Sequence, residues 1–303
     1  MSPFQGLSAF PITPCDSAGK PIGPDLSKVL KPLVEAQVSS IGLLGSTGTY
    51  AYLSRSARRT AIEIARDCLP ATMPLIVGVG ALRTDTAQHL AEDAAKAGAD
   101  ALLLAPVSYT PLTEGEAYDH FVAVADTTDL PLCIYNNPGT THFTFSAGLL
   151  ARLALHPRIT GAKMPLPAAG QSLESDLSSL RSHLPSGFDV GYSGDWGCAQ
   201  ALKAGADAWY SVAAGLFPAQ CLALTKAAQS GDHDQADRVN DAFAPMWELF
   251  QTFGSLRVVY AAAQIMRLTN ATPPLPLQCP RPDTTPRIKA AIDSILSFDL
   301  HGG

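Results

Sequence analysis

Eight short apolar runs, alternating with helical patterns, constrain this chain more than any other feature. The runs are "LSAFPI" (7–12), "SIGLLG" (40–45), "PLIVGVG" (74–80), "ALLLAPV" (101–107), "PLCIYNN" (131–137), "ITGAKM" (159–164), "DVGYSG" (189–194) and "AWYSVAA" (208–214). Continuous apolar runs of this length are what strands covered on both faces look like. Segments between them, such as "SRSARRTAIEIARDCL" and "DTAQHLAEDAAKAG", place apolar residues at helical spacing with polar ones opposite. Ser54 and Asp85 stand at N-cap positions and Gly98 at a helix stop. Eight such units predict an α/β fold, a (β/α)8 barrel. A short internal echo fits a repeated unit: "AGADALLLAP" (97–106) and "AGADAWYSVA" (204–213) each read as helix end, turn and buried strand. The rival is a doubly wound open sheet, but no strand is followed by GxGxxG, and "GSTGTY" (45–50) has the spacing of neither that fingerprint nor a P-loop.

The pattern changes after the eighth run. From about 219 to 300 only helices are expected: "AQCLALTKAAQSG", "DQADRVNDAFAPMWELFQTF", "SLRVVYAAAQIMRL" and "TPRIKAAIDSIL", interrupted by the proline-rich "TPPLPLQCPRP" (272–282). This gives a barrel domain over 1–225 and a C-terminal helical extension over 226–303, packed on the barrel or on a partner subunit.

Composition narrows the function classes. Of 303 residues 47% are hydrophobic and 16% charged, with a formal net charge of -6. A nucleic-acid surface needs a basic footprint, which this balance lacks. The opening "MSPFQGLSAFPITP" is broken by Pro3, Pro11 and Pro14, so neither a secretory signal nor a membrane span is expected. The six cysteines form no CxxC pair, which disfavours structural zinc and fits free core thiols in a reducing cytoplasm. Cys133 alone remains a candidate nucleophile.

Chemistry in such a barrel gathers at the C-terminal ends of the strands. Those ends hold Thr13; Gly45, Ser46 and Thr47; Ser108 and Tyr109; Tyr135, Asn136 and Asn137; Lys163; Tyr192, Ser193, Gly194 and Asp195; and Tyr210 and Ser211. Of eight lysines only Lys163 sits at a strand end. A poorly hydrated barrel mouth disfavours an ammonium and leaves an amine able to attack a ketone and form a Schiff base. Tyr135, on the neighbouring strand, can shuttle a proton. Gly45 lets backbone approach a ligand, and Ser46 and Thr47 offer donors to a small carboxylate such as that of an α-keto acid. Each residue also has a plainer reading. Lys163 is then a surface lysine on an early-ending strand, Tyr135 a core tyrosine, "GSTG" a turn, and Asp195 a helix cap near Trp196.

As a set, "GSTG", "IYNNPGTT", "GAK", "YSGDW" and "PVSYTPLTEGEAYDHF" resemble the dihydrodipicolinate synthase and N-acetylneuraminate lyase family over nearly the whole chain. The resemblance implies a lyase of the class I aldolase type. Lys163 would be its Schiff-base residue toward pyruvate, Tyr135 the proton shuttle, and Ser46 and Thr47 the carboxylate site. Gly194 would line the pocket and Ser211 would lie near the lysine. It also implies no metal or organic cofactor, and a homotetramer built as a dimer of dimers, or a homodimer.

Departures from the pattern accompany it. Where dihydrodipicolinate synthases have an arginine for the aldehyde's carboxylate, this chain has Thr140. Where they have a tyrosine pair after strand four, it has Val107 and Ser108, with Tyr109 one place later. Thr49 replaces a frequent glutamate, and Met164, Pro165, Leu166 and Pro167 replace an acidic and hydroxyl-bearing segment. The expectation is therefore a pyruvate-dependent aldol lyase other than a dihydrodipicolinate synthase. The alternatives are a sugar-acid dehydratase using the same imine and a non-catalytic ketoacid-binding barrel. A phosphate-binding barrel is a weaker rival, because "AAGLFP" offers little for a phosphate after strand eight.

Overall fold

A computed structural model describes residues 2–168 and 170–299. Eight parallel strands close into one barrel in chain order: β1 (Gly6–Ala9), β2 (Ser40–Leu43), β3 (Leu75–Gly78), β4 (Ala101–Leu104), β5 (Leu132–Tyr135), β6 (Ile159–Pro165), β7 (Asp189–Ser193) and β8 (Ala208–Ser211). Each overlaps the apolar run expected for it. The barrel closes where Gly6–Ala9 pairs with Ala208–Ser211. The first run continues to Ile12, but the last ladder bond is Phe10 N–H to the Ser211 carbonyl at 2.8 Å. Pro11 follows and has no N–H to donate.

The echoed segment proves to be one device used twice. Gly98 (φ +90°) and Gly205 (φ +93°) each end a helix in the left-handed region. The Ala99 N–H then reaches back to the Ala94 carbonyl, and the Ala206 N–H to the Ala201 carbonyl, both at 3.0 Å. The aspartate that follows serves the preceding strand. Asp100 accepts from Leu75 N–H and Asp207 from Val190 N–H, each at 2.8 Å. Asp100 also pairs with Arg66 at 3.1 Å and Asp207 with Arg181 at 3.0 Å. One short motif thus ties a helix end to the start of two neighbouring strands.

Large rings fill the inside of the barrel because other strands carry no side chain there. A Cβ on Gly42 would stand 2.3 Å from the Phe10 ring and one on Gly45 2.7 Å from it. A Cβ on Gly191 would stand 2.6 Å from the Tyr210 ring. Phe4, Phe10, Ile76, Leu103, Cys133, Tyr135 and Tyr210 form this inner cluster, separate from the larger core between strands and helices. Burying each such ring stabilises the fold by roughly 1.5–3 kcal/mol.

Of the two expected caps in the first half of the chain, one is present and one is not. Ser54 caps its helix, its side chain accepting from Ala57 N–H at 3.2 Å. Asp85 is not a cap: the helix Thr84–Lys96 begins one residue before it, with Arg83 at the cap position. Its carboxylate instead accepts from Thr86 N–H and grips Arg83, which pulls it below the usual carboxylate range.

Beyond β8 the expected helices are present as Pro218–Ser230, His233–Ala242, Ala244–Phe253, Ser255–Ile265 and Thr285–Leu296. The segment 234–253 is two helices rather than one, because Pro245 cannot continue a helical ladder and starts a new first turn. The extension packs on its own barrel: the Tyr260 hydroxyl donates to the Thr13 carbonyl at 3.3 Å and the Thr269 hydroxyl to Asp25 at 2.7 Å. The 225/226 division falls inside the helix Pro218–Ser230. Among the described residues no helix is long and apolar enough to cross a membrane.

Candidate active site

Lys163 is 4% exposed, so it is not a surface lysine. Its strand continues two residues further to Pro165, held where the Ser193 hydroxyl donates to the Met164 carbonyl at 3.2 Å. In register, Lys163 lies beside Tyr135 on one side and Gly191 on the other. Its Nζ meets three ring faces, with centroids at 4.7 Å (Phe10), 5.0 Å (Tyr135) and 5.3 Å (Tyr210).

Tyr135 is buried, and its hydroxyl is shared between two loops. It lies 3.1 Å from Ser46 Oγ and accepts from Asn137 Nδ2 at 2.9 Å. Ser46 comes from the turn after β2, which is wound tightly. Leu44 (φ 57°) and Thr49 (φ 55°) both adopt the left-handed region at its two ends. The Thr49 N–H closes the turn onto the Ser46 carbonyl at 3.0 Å. Gly45 and Thr47 are buried in the same turn. Gly48 passes close to the segment that follows β1, where a Cβ would stand 3.0 Å from Thr13 Oγ1. Lysine, tyrosine and "GSTG" therefore converge on one barrel mouth.

Gly194 and Ser211 are organised around an acid that the sequence reading placed differently. Gly194 (φ +98°) is the N-cap of the helix Asp195–Lys203, so Asp195 is its first helical residue and not its cap. Asp195 is buried, and its carboxylate accepts from the Ser211 hydroxyl at 2.6 Å, Ala213 N–H at 3.2 Å and Val212 N–H at 3.3 Å. Burial pushes this carboxyl up, while the Ser211 hydroxyl, the two N–H groups and the charge of Lys163 pull it back. Asp195→Ala would leave three buried donors without their acceptor. The expected cost is about 3 kcal/mol, read as a lower midpoint in urea.

Two expected residues are not brought to the lysine. Thr140 is exposed, and its hydroxyl donates to the Asn137 carbonyl of its own turn at 3.3 Å. Tyr109 is 96% exposed and stands clear of the site in this chain. Cys133 is fully buried, with Sγ 3.6 Å from the Tyr210 hydroxyl. Burial pushes its thiol up to about 12, so it is a core thiol and not a nucleophile.

Sequence reasoning missed Phe10, and missed Tyr210 and Asn137 as partners of the lysine and tyrosine. Phe10 was legible in principle. It lies two residues after Ser8 and so on the same face of β1, and Ser8 pairs with Tyr210. A cleft of about 1050 Å3 opens at the opposite end of the barrel, among Gln5, Ser39, Asp207 and His233. It contains none of these groups.

With this geometry in hand the comparisons are specific. Residues 3–295 match the Dihydrodipicolinate synthetase family. A 4-hydroxy-tetrahydrodipicolinate synthase of Methanospirillum hungatei JF-1 is 28% identical over 291 residues, covering 95% of this chain and 98% of that protein. The crystal structure of a dihydrodipicolinate synthase from Agrobacterium tumefaciens str. C58 superposes with a TM-score of 0.95 at 53% identity, covering 97% of this chain and 98% of that one. A chloride-inhibited dihydrodipicolinate synthase from Acinetobacter baumannii, complexed with pyruvate, superposes with a TM-score of 0.87 at 27% identity over 97% of this chain and all of that one (100%). The chain belongs to the dihydrodipicolinate synthetase family and is a lyase of the class I aldolase type.

Proposed function

We propose that the protein forms a Schiff base between Lys163 and pyruvate, or a pyruvate-derived 2-keto acid, and makes or breaks a bond at the adjacent carbon. The observation that carries this is a buried lysine in register with Tyr135 on the neighbouring strand, its Nζ over the tyrosine ring, at the end of the barrel where βα-loops gather. The A. baumannii relative's complex with pyruvate supports the choice of ketoacid.

In the first step the neutral Nζ attacks C2 of the ketoacid. Tyr135 carries a proton from nitrogen to the former carbonyl oxygen, giving a carbinolamine. A second proton lets that oxygen leave as water, and the nitrogen keeps one hydrogen as a cationic imine. Ser46 and Thr47 bind the ketoacid carboxylate through hydroxyl and N–H groups, and the backbone at Gly194 with Ser211 lines the rest of the mouth. The cationic imine then accepts the electron pair of a C–H or C–C bond at C3.

The second substrate differs, on this reading, from the aldehyde of the dihydrodipicolinate synthases. Thr140 supplies no cation for a second carboxylate, and Val107 and Ser108 supply no phenol. Leu166 lies against Gly194 and Gly197, so the wall beside Gly194 is apolar and suits a smaller or less polar acceptor than sialic acid, whereas Met164 faces the outer core. Tyr109 stands ready to reach a second copy of the chain in a cytoplasmic homodimer or homotetramer.

Borohydride reduction in the presence of pyruvate, followed by peptide mapping, tests the central step. The expected result is one pyruvyl adduct, on Lys163. A folded protein with no adduct there sinks the reading, and an adduct without turnover on any aldehyde or sugar acid favours a binding-only barrel. Tyr135→Phe should still form the adduct, but roughly 10²–10⁴ times more slowly, the usual range for a lost proton shuttle.

A further inference from the structure

We propose that Phe10 stabilises the positive charge on the imine nitrogen of Lys163, an inference that rests on the Schiff-base reading above. Phe10 is the nearest of the three rings around Nζ, at 4.7 Å, and only 3% exposed. It stands edge-on to Tyr210 with centroids 5.9 Å apart and planes at 85°. The missing side chains at Gly42 and Gly45 make the space it occupies. Its position is therefore fixed by the bond of its N–H to β8 and by β2 with the turn that follows it.

Among the described residues Lys163 makes no ion pair, and the buried Asp195 acts on it through its charge without a direct contact. The carboxylate oxygens of Asp195 are taken up by Ser211, Val212 and Ala213. The Tyr135 hydroxyl is engaged with Ser46 and Asn137, and the Tyr210 hydroxyl lies against Cys133. What Nζ meets is π density, whose negative face attracts a cation, more strongly where water is excluded.

The consequence is specific. A neutral imine gains nothing from the rings, whereas a protonated imine does. Only the protonated form is an electron sink for the C3–H bond. Phe10 thus keeps the sink in its working form to a higher pH than an aliphatic neighbour would. Phe10 also makes no hydrogen bond through its side chain, so changing it removes π density without stranding a polar group.

The test uses pyruvate alone and needs no second substrate. In D2O the cationic imine gives up a C3 proton, the enamine forms, and a deuteron returns, so the pyruvate methyl signal fades in the proton NMR spectrum. The exchange rate is measured against pH, corrected for the protein-free reaction, for wild type, Phe10→Leu, Phe10→Met and Phe10→Tyr. Lys163 trapping by borohydride and thermal melts are recorded alongside. The alkaline limb should move about one pH unit lower in Phe10→Leu and Phe10→Met, a ten-fold loss of proton affinity at the imine. Phe10→Tyr, which keeps the ring face, should leave that limb in place.

A rate lowered evenly at all pH values, or an unmoved limb in a folded Leu or Met variant that still traps pyruvate on Lys163, overturns the role of Phe10 alone. No Lys163 adduct in wild type overturns the Schiff-base reading and this inference with it.

Discussion

Lys163→Met should abolish the pyruvate adduct completely and leave a barrel at least as stable as the wild type. The two halves of that expectation come from the same geometry. The adduct requires a primary amine at the one position where the fold buries one beside a phenol, and no other lysine sits at a strand end. Loss of the nucleophile should therefore take the exchange of pyruvate methyl protons to the protein-free rate. Stability should move the other way. A buried amine that meets ring faces and makes no ion pair among the described residues is less well compensated than a hydrogen-bonded one. Methionine keeps the length of the stem and fills the space between Phe10, Tyr135 and Tyr210 with a sulfur that packs well on rings. A gain of about 1–2 kcal/mol is expected, the usual size when an active-site group is traded for packing. Intact mass after borohydride and a urea melt read both halves. A Lys163→Met protein that melts well below the wild type would mean the buried amine is better compensated than the rings allow, and would weaken the case for a functional lysine.

The barrel was legible because its strands advertise themselves locally. Each is a short run dominated by apolar residues, and eight of them cannot be arranged in many ways. The AGAD echo also carried real structure, since both copies end a helix and tie down a neighbouring strand. Lys163 and Tyr135 were legible because a charge or a phenol at the end of an apolar run is rare. What could not be read was anything set by contacts across the barrel. Phe10 looked like one more core residue, and its role depends on Gly42, Gly45 and Tyr210 from other strands. Asp195 looked like a cap because caps are local. Its actual partners, Ser211, Val212 and Ala213, lie beyond its own helix, at and just after the end of β8. Tyr109 and Thr140 were placed by alignment of motifs, which fixes position along the chain but not the direction a loop takes. The break at Pro245 was visible in the sequence, and a long amphipathic pattern outweighed it.

Gly78→Ala should destabilise the protein severely and disable the site with it. Gly78 ends β3, and a Cβ there would stand 2.0 Å from the Leu44 carbonyl oxygen and 2.8 Å from its carbon. Both are backbone atoms, so no rotamer change relieves the clash. Leu44 already holds a left-handed conformation (φ 57°) at the start of the turn that carries Gly45, Ser46 and Thr47. It can retreat only by taking that turn along. The Ser46 hydroxyl would then leave Tyr135, and the Gly78 carbonyl would shift against the buried Arg58 guanidinium that donates to it at 2.7 Å. Overpacking of a core side chain typically costs about 1–3 kcal/mol. Displaced backbone should reach or exceed the upper end, with a fall in Tm of at least about 6 °C at roughly 2 °C per kcal/mol for a chain of this size. Gly115→Ala is the matched control. It makes the same chemical change in the first turn of the helix Glu114–Ala125, where a Cβ meets nothing within 4 Å. That variant should gain up to about 1 kcal/mol from helix propensity. If the two alanines behaved alike, close approach of β3 to the β2 turn could not be what positions Ser46, and the tight turn would have to be held by its own left-handed residues alone.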